Sequence, residues 1–154
     1  MMNVNLFEAH LGTNNLEKAI QFYENLGLTL VYKLEERRVA FFQFNKDKKI
    51  GQMLGIWEKK EPIMRNHIAF GVTYEEIINA IDWLKEKGIE ASESFGLAPT
   101  EPVVHSWMPA ASVYFPDPDG NSLEFITVLD GESKPELGVI YLSEWHSKNN
   151  IAHR

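Results

Sequence analysis

The chain has 154 residues, 44% hydrophobic and 24% charged, which is enough to bury one domain's core and argues against a disordered or fibrous architecture. With 15 Lys and Arg against 22 Asp and Glu the formal net charge is -7, and the densest basic stretch is only Lys46-Asp47-Lys48-Lys49, which argues against nucleic acid or an anionic membrane as a partner. There is no cysteine, so disulfides, thiolate ligands and a thiol nucleophile are excluded together, and a metal would have to sit on His, carboxylate or amide oxygen.

The N-terminus, Met1-Met2-Asn3-Val4-Asn5, shows no basic region leading into an apolar run, and no window approaches the ~18 consecutive apolar residues of a membrane span. The chain is therefore read as cytoplasmic. Residues 4–13 read as a strand, with Phe7, Ala9 and Leu11 on an apolar face and Leu6, Glu8 and His10 on the other. Asn14 stands where an N-cap belongs, with Glu17 three residues on as in a capping box. Leu16, Ala19, Ile20 and Tyr23 then follow at helical spacing up to a stop at Gly27. Three strand-like runs complete this stretch, at residues 28–33, 39–44 and 50–57, the last two joined by the turn Asn45-Lys46-Asp47.

The same layout then recurs. Residues 67–72 form a strand with Ile68, Phe70 and Val72 on its apolar face and His67 on the other. Thr73 with Glu76 repeats the capping box, Ile77, Ala80, Ile81 and Leu84 repeat the helical stripe, and Gly88 repeats the stop. Strand-like runs follow at 89–94, 111–115 and 122–128, with Pro116-Asp117-Pro118-Asp119-Gly120 as the turn before the last. Each half thus reads strand, helix, three strands.

Residues 95–110 hold Pro99, Pro102 and Pro109 with little periodicity and read as an irregular loop carrying His105 and Trp107, of the kind that covers a site. The tail from Leu129 opens with the turn Asp130-Gly131-Glu132-Ser133. From Val139 to Trp145 the pattern is open between a strand and a helix. His146 and His153 read as surface residues of this tail, and Phe41, Phe42, Trp57 and Trp83 as core or interface aromatics.

Three passages carry a resemblance: His10 through Phe22-Tyr23-Glu24-Asn25-Leu26-Gly27, then Asn66-His67-Ile68-Ala69-Phe70, then Phe115-Pro116-Asp117-Pro118-Asp119-Gly120-Asn121-Ser122-Leu123-Glu124-Phe125. Together they resemble the glyoxalase, bleomycin-resistance and dioxygenase superfamily, also called vicinal oxygen chelate proteins. The resemblance implies an α+β fold of two βαβββ modules forming a curled mixed sheet around a metal cleft. The expected division is one domain at residues 1–128, with modules near 4–60 and 66–128, followed by an extension at 129–154. It further implies a divalent metal, Zn, Ni, Mn or Fe(II), on His10, His67 and Glu124, with Glu124 also the catalytic carboxylate, and a homodimer acting on a small-molecule substrate. The alternation is compatible with this, since each of the three residues projects away from its apolar strand neighbours. His105 and Trp107 are the candidate substrate contacts.

The sequence departs from the family at one position. Aligning Leu54-Gly55-Ile56 with Leu123-Glu124-Phe125 puts Gly55 where glyoxalase-type relatives carry a second Glu. Gln52 lies on the opposite strand face, and Glu8, on the face of His10, is the nearest carboxylate by sequence. The expectation is a three-ligand site in a glyoxalase-like lyase or isomerase, or a thiol transferase. The fosfomycin-inactivating transferases match less well, because Asn121 replaces the His usual after the turn glycine and residues 125–128 carry no cation. The alternatives are an extradiol Fe(II) dioxygenase and a metal-free drug-binding resistance protein.

Overall fold

The computed structural model describes residues 2, 4–44 and 51–149, so the Asn45-Lys46-Asp47 turn, the basic stretch at 46–49, Ile50 and His153 lie outside the described residues. The chain divides into two compact units, residues 1–66 with 117–121, and residues 67–116 with 122–154. Both are mixed α+β. No helix among the described residues is long and apolar enough to cross a membrane.

In the first unit β1 (Glu8–Thr13), α1 (Leu16–Asn25), β2 (Thr29–Leu34), β3 (Val39–Gln43) and β4 (Met53–Glu58) follow in chain order. The sheet runs β1-β4-β3-β2, with β1 parallel to β4 and the other pairs antiparallel. The stripe expected on α1 is its buried face, through Leu16, Ala19 and Tyr23. Its cap differs from expectation: Asn15, not Asn14, is the N-cap, its side chain accepting from the Lys18 N–H. Glu17 is drawn instead into a network in which Arg38 binds Glu17, Glu35 and Glu58, and Lys33 binds Glu17. A guanidinium with three carboxylates in reach outcompetes one backbone N–H for that side chain. At the other end Gly27 takes φ +98°, the left-handed turn that closes the helix.

The second unit begins with β5 (His67–Gly71) and α2 (Tyr74–Glu86), whose capping box on Thr73 and Glu76 forms as expected. It continues with β6 (Val103–His105), β7 (Ala110–Pro116), β8 (Ser122–Val128), β9 (Val139–Tyr141) and α3 (Leu142–Asn149), in the sheet order β5-β8-β7-β6-β9. The β5–β8 pair is parallel, repeating β1–β4. One face of this sheet packs α2, with the Trp83 and Phe125 rings 6.0 Å apart.

Two expectations fail here for one reason. The run at 89–94 is not a strand; Ser92 N–H donates to the Tyr114 carbonyl, but the neighbouring stretch of β7 is taken by Val103 to His105, which pair with Ala110 to Ser112. The segment expected to be irregular therefore supplies the third strand, and His105 stands on it. The three strand residues Val103 to His105 are too few to show an alternation, whereas 89–94 was long enough to imitate one. The tail uses both of its open readings: β9 pairs with β6, and α3 buries Leu142 and Trp145. His146, expected at the surface, is buried at 7% exposure, with Nε2 against the Tyr74 hydroxyl at 2.9 Å.

Candidate metal centre

The Asp-Pro-Asp-Gly-Asn turn shows its chemistry in hydrogen bonds. Asp117 Oδ1 accepts from the backbone N–H of Asp119 (2.9 Å) and Asn121 (2.8 Å), and its Oδ2 accepts from the Tyr23 hydroxyl (2.8 Å) and Asn121 Nδ2 (2.7 Å). Burial, then the Asp117 charge, raises the Tyr23 pKa, so the phenol remains a donor. Asn121 Oδ1 in turn accepts from the Asn66 N–H at 2.9 Å. The turn is thus scaffolding: it fixes the residues immediately before His67 on β5 and Ser122 on β8. Gly120 is needed there, at φ +82° with the Arg65 guanidinium 2.9 Å from where a Cβ would stand.

On β5 and β8 the register sets His67 beside Ser122 and Ala69 beside Glu124. His67 Nδ1 lies 3.0 Å from the Ser122 carbonyl and 3.2 Å from the Ser122 hydroxyl, contacts that fix the orientation of the ring. Its Nε2 faces Glu124 Oε2 at 2.9 Å. Glu124 is 4% exposed, and its second oxygen, Oε1, is buried with no hydrogen-bond partner among the described residues. A backbone-oriented imidazole converging with a carboxylate that has an unused oxygen is a donor set suited to a divalent ion. His67 and Glu124 therefore fit the group that the resemblance implies.

Beside this pair lies a residue that the sequence analysis missed. Every β7–β8 pair is symmetric about residue 119, and the register sets Tyr114 opposite Glu124. The signal was present: a tight turn centred on 119 assigns each residue of one strand its partner on the other. The Tyr114 hydroxyl is 2.7 Å from His105 Nε2, and its ring lies 6.0 Å from that of His67. Burial, then the Glu124 charge, raises the Tyr114 pKa, while burial lowers that of His105 against an opposing pull from Glu124. Both groups are neutral near pH 7, a phenol and an imidazole able to pass or share a proton. Phe95, 63% exposed and at φ +54°, stands edge-on to the His105 ring at 5.1 Å. Trp107 is 61% exposed in the turn after β6, and its ring joins none of these contacts among the described residues.

His10 belongs to the first unit. Its Nδ1 accepts from the Trp57 indole N–H at 2.5 Å and its Nε2 lies 2.7 Å from Glu8 Oε1. The ring stacks on Trp57 at 6.0 Å and meets Phe41 edge-on at 6.1 Å. Beneath it is Gly55, where a Cβ would stand 3.0 Å from Cε1 and 3.1 Å from Nδ1 of the imidazole. The missing carboxylate at position 55 is thus occupied space: the ring lies where a side chain would begin. Of the three expected ligands, the structure brings His67 and Glu124 together. Among the described residues, no three His, Asp or Glu side chains gather closely enough to hold a metal. Gln52 donates instead to the Leu6 carbonyl at 3.0 Å.

Two βαβββ units and a His–Glu pair at matching strand positions define a class, and the sequence agrees. Residues 5–125 match the Glyoxalase/Bleomycin resistance protein/Dioxygenase superfamily, and the chain belongs to that family. The integron cassette protein HFX_CASS4, from the mobile metagenome of the Halifax Harbour sewage outfall, is 33% identical, with 80% of this chain and 98% of that one covered and a TM-score of 0.68. Two further structures share the fold at 23% identity. A glyoxalase/bleomycin resistance protein/dioxygenase from Nocardioides covers 86% of this chain and 89% of its own at TM-score 0.64. Lactoylglutathione lyase from Agrobacterium tumefaciens covers 80% and 93% at 0.62.

Proposed function

We propose that the protein is a divalent-metal-dependent enzyme, a glyoxalase-like lyase or isomerase or a thiol transferase, acting on a small oxygenated substrate. The observation that carries this reading is His67 Nε2 facing Glu124 Oε2 at 2.9 Å while Oε1 is buried with no hydrogen-bond partner within ordinary distance among the described residues. His67 and Glu124 would hold the ion, with His10 as third ligand on the family resemblance. When bound, the ion supplies Lewis acidity toward adjacent substrate oxygens. Tyr114 and His105 stand beside Glu124 to donate or relay a proton, and Phe95 offers an apolar edge to the substrate's carbon skeleton. On this reading His105 contacts the substrate. Trp107 contacts substrate only if its loop folds over the site. The resemblance also supports a homodimer, which analytical ultracentrifugation would test directly.

A second reading is favoured by Gly55. With no carboxylate there, the expected set of two His and one Glu would match the triad of non-haem Fe(II) oxygenases, so an extradiol-type dioxygenase is the alternative. The test is a turnover screen of metal-loaded protein. Loss of a glutathione hemithioacetal or addition of glutathione to an epoxide supports the first reading. Oxygen uptake with catechols and Fe(II) supports the second. Inactivity in all of these, with tight binding of planar drugs by metal-free protein, overturns both.

A further inference from the structure

Phe95 stands in a backbone conformation that its side chain does not favour. Ser94 and Leu97 form an isolated antiparallel bridge, the Ser94 N–H donating to the Leu97 carbonyl at 3.1 Å and the Leu97 N–H to the Ser94 carbonyl at 2.9 Å. The two residues between them, Phe95 and Gly96, take φ +54° and +76°, as in the two-residue turn that favours Asn-Gly or Gly-Gly. A bulky side chain in the left-handed region is strained, and burial in a core would be the ordinary compensation. There is little of it here, because Phe95 is 63% exposed. Its ring is instead set edge-on to His105 at 5.1 Å and lies 6.0 Å from the Tyr114 ring. The turn is tied down on both sides: the Ser92 N–H donates to the Tyr114 carbonyl at 2.7 Å, and the Tyr141 hydroxyl to the Ala98 carbonyl at 3.1 Å. All of these residues belong to the second unit.

Phe95, His105 and Tyr114 thus meet pairwise at 87°, 65° and 81°, three rings packed edge to face with most of Phe95 left open. The Tyr114 ring is 6.0 Å from that of His67, and Tyr114 is the register partner of Glu124. An apolar surface one ring away from the candidate donors is met by whatever is bonded to the oxygens that reach them. A phenyl or similar flat ring extends the edge-to-face packing already there, which an alkyl chain does not. We propose that Phe95 is a specificity-determining residue, held out by its strained turn to pack an aryl group carried next to the oxygens of the substrate. This rests on the metal-centre reading above and narrows its small oxygenated substrate to an aryl-bearing one. The strain is then a loss of stability kept for binding, so the two properties move in opposite directions when the ring is removed.

The test uses the whole chain incubated with Zn and two probes, benzohydroxamate and acetohydroxamate, which offer the same adjacent oxygens and differ in phenyl against methyl. Affinity is read by calorimetry and stability by thermal melting. Phe95→Asn supplies the pair this turn favours and removes the ring. It should raise Tm and weaken benzohydroxamate about three- to tenfold more than acetohydroxamate, the worth of one aromatic contact. Phe95→Tyr keeps the ring and should keep the wild-type preference. A ring that serves only to pack the turn would give the opposite sign, a lower Tm for Phe95→Asn with no selective loss of the phenyl probe. That result overturns the proposal, as does a wild type that binds neither probe. Glu124→Ala separates the two readings. If it binds both probes as wild type does, the metal-centre reading fails and takes the assignment with it. If it loses both while Phe95→Asn keeps the wild-type ratio of affinities, the assignment of Phe95 alone is overturned.

Discussion

Replacing Glu124 by leucine should stabilise the metal-free protein while abolishing its response to metal. The wild-type carboxylate is 4% exposed, one oxygen has no hydrogen-bond partner among the described residues, and the other faces His67 Nε2 at 2.9 Å. A buried polar atom left unbonded costs about 1–3 kcal/mol. The Glu124→Leu substitution removes that cost and loses the contact with His67 Nε2, whose side chain is 49% exposed and can turn to water. The net expectation is a gain of about 1 kcal/mol, or about 2–4 °C in Tm for a chain of this size. Wild type at a metal concentration about one hundred times Kd should instead gain about 2.7 kcal/mol, or about 5–11 °C. Calorimetric melting of both proteins, chelated and with Zn, Ni, Mn or Fe(II), measures the two effects. A Glu124→Leu variant that melts lower than wild type without metal and still rises on adding it would refute the reasoning.

Tyr23→Phe removes the hydroxyl that binds Asp117 in the core; a lost bond to a charged acceptor predicts destabilisation of about 1.5–3 kcal/mol by urea unfolding, with the fold retained. Thr73→Ala breaks the capping box of α2 and should cost about 1 kcal/mol in the same assay. Arg38 and Lys33 lower the Glu17 pKa to about 2, and the Glu35 and Glu58 carboxyls are lowered by Lys33 and Arg38 respectively. The stabilisation these groups provide is present above their ordinary value near 4.5 and is lost as pH falls from there toward about 2. The stability difference between wild type and Arg38→Gln should therefore be constant above about pH 5 and shrink below it. A difference that grows on acidification would contradict the sign.

The sequence carried most of the fold because the two halves repeat their signals: a capped helix ending in glycine, then alternating strands. What it hid was decided by competition between groups. Asn14 and Asn15 are equal caps by propensity, and only Arg38's hold on Glu17 removes the capping-box partner from the choice. The third strand of the second unit fell at 103–105 because pairing along β7 depends on which segment reaches it, not on local alternation. At the candidate site, the meeting of His67 and Glu124 was legible, since both were expected on strand faces away from their apolar neighbours. The partners of the ring nitrogens, Ser122 for His67 and the Trp57 indole for His10, were not, because no spacing rule records which atom lies next to each. His146 misled for a related reason: a polar tail sequence hid a helix whose Trp145 is fully buried.

Elemental analysis of untagged protein tests the central claim most directly, on wild type, His67→Ala and Glu124→Ala with folding checked by circular dichroism. The account predicts one divalent ion per chain in the wild type and none in either folded variant. Equal metal in all three, or none in the wild type after incubation with Zn, Ni, Mn and Fe(II), would contradict it.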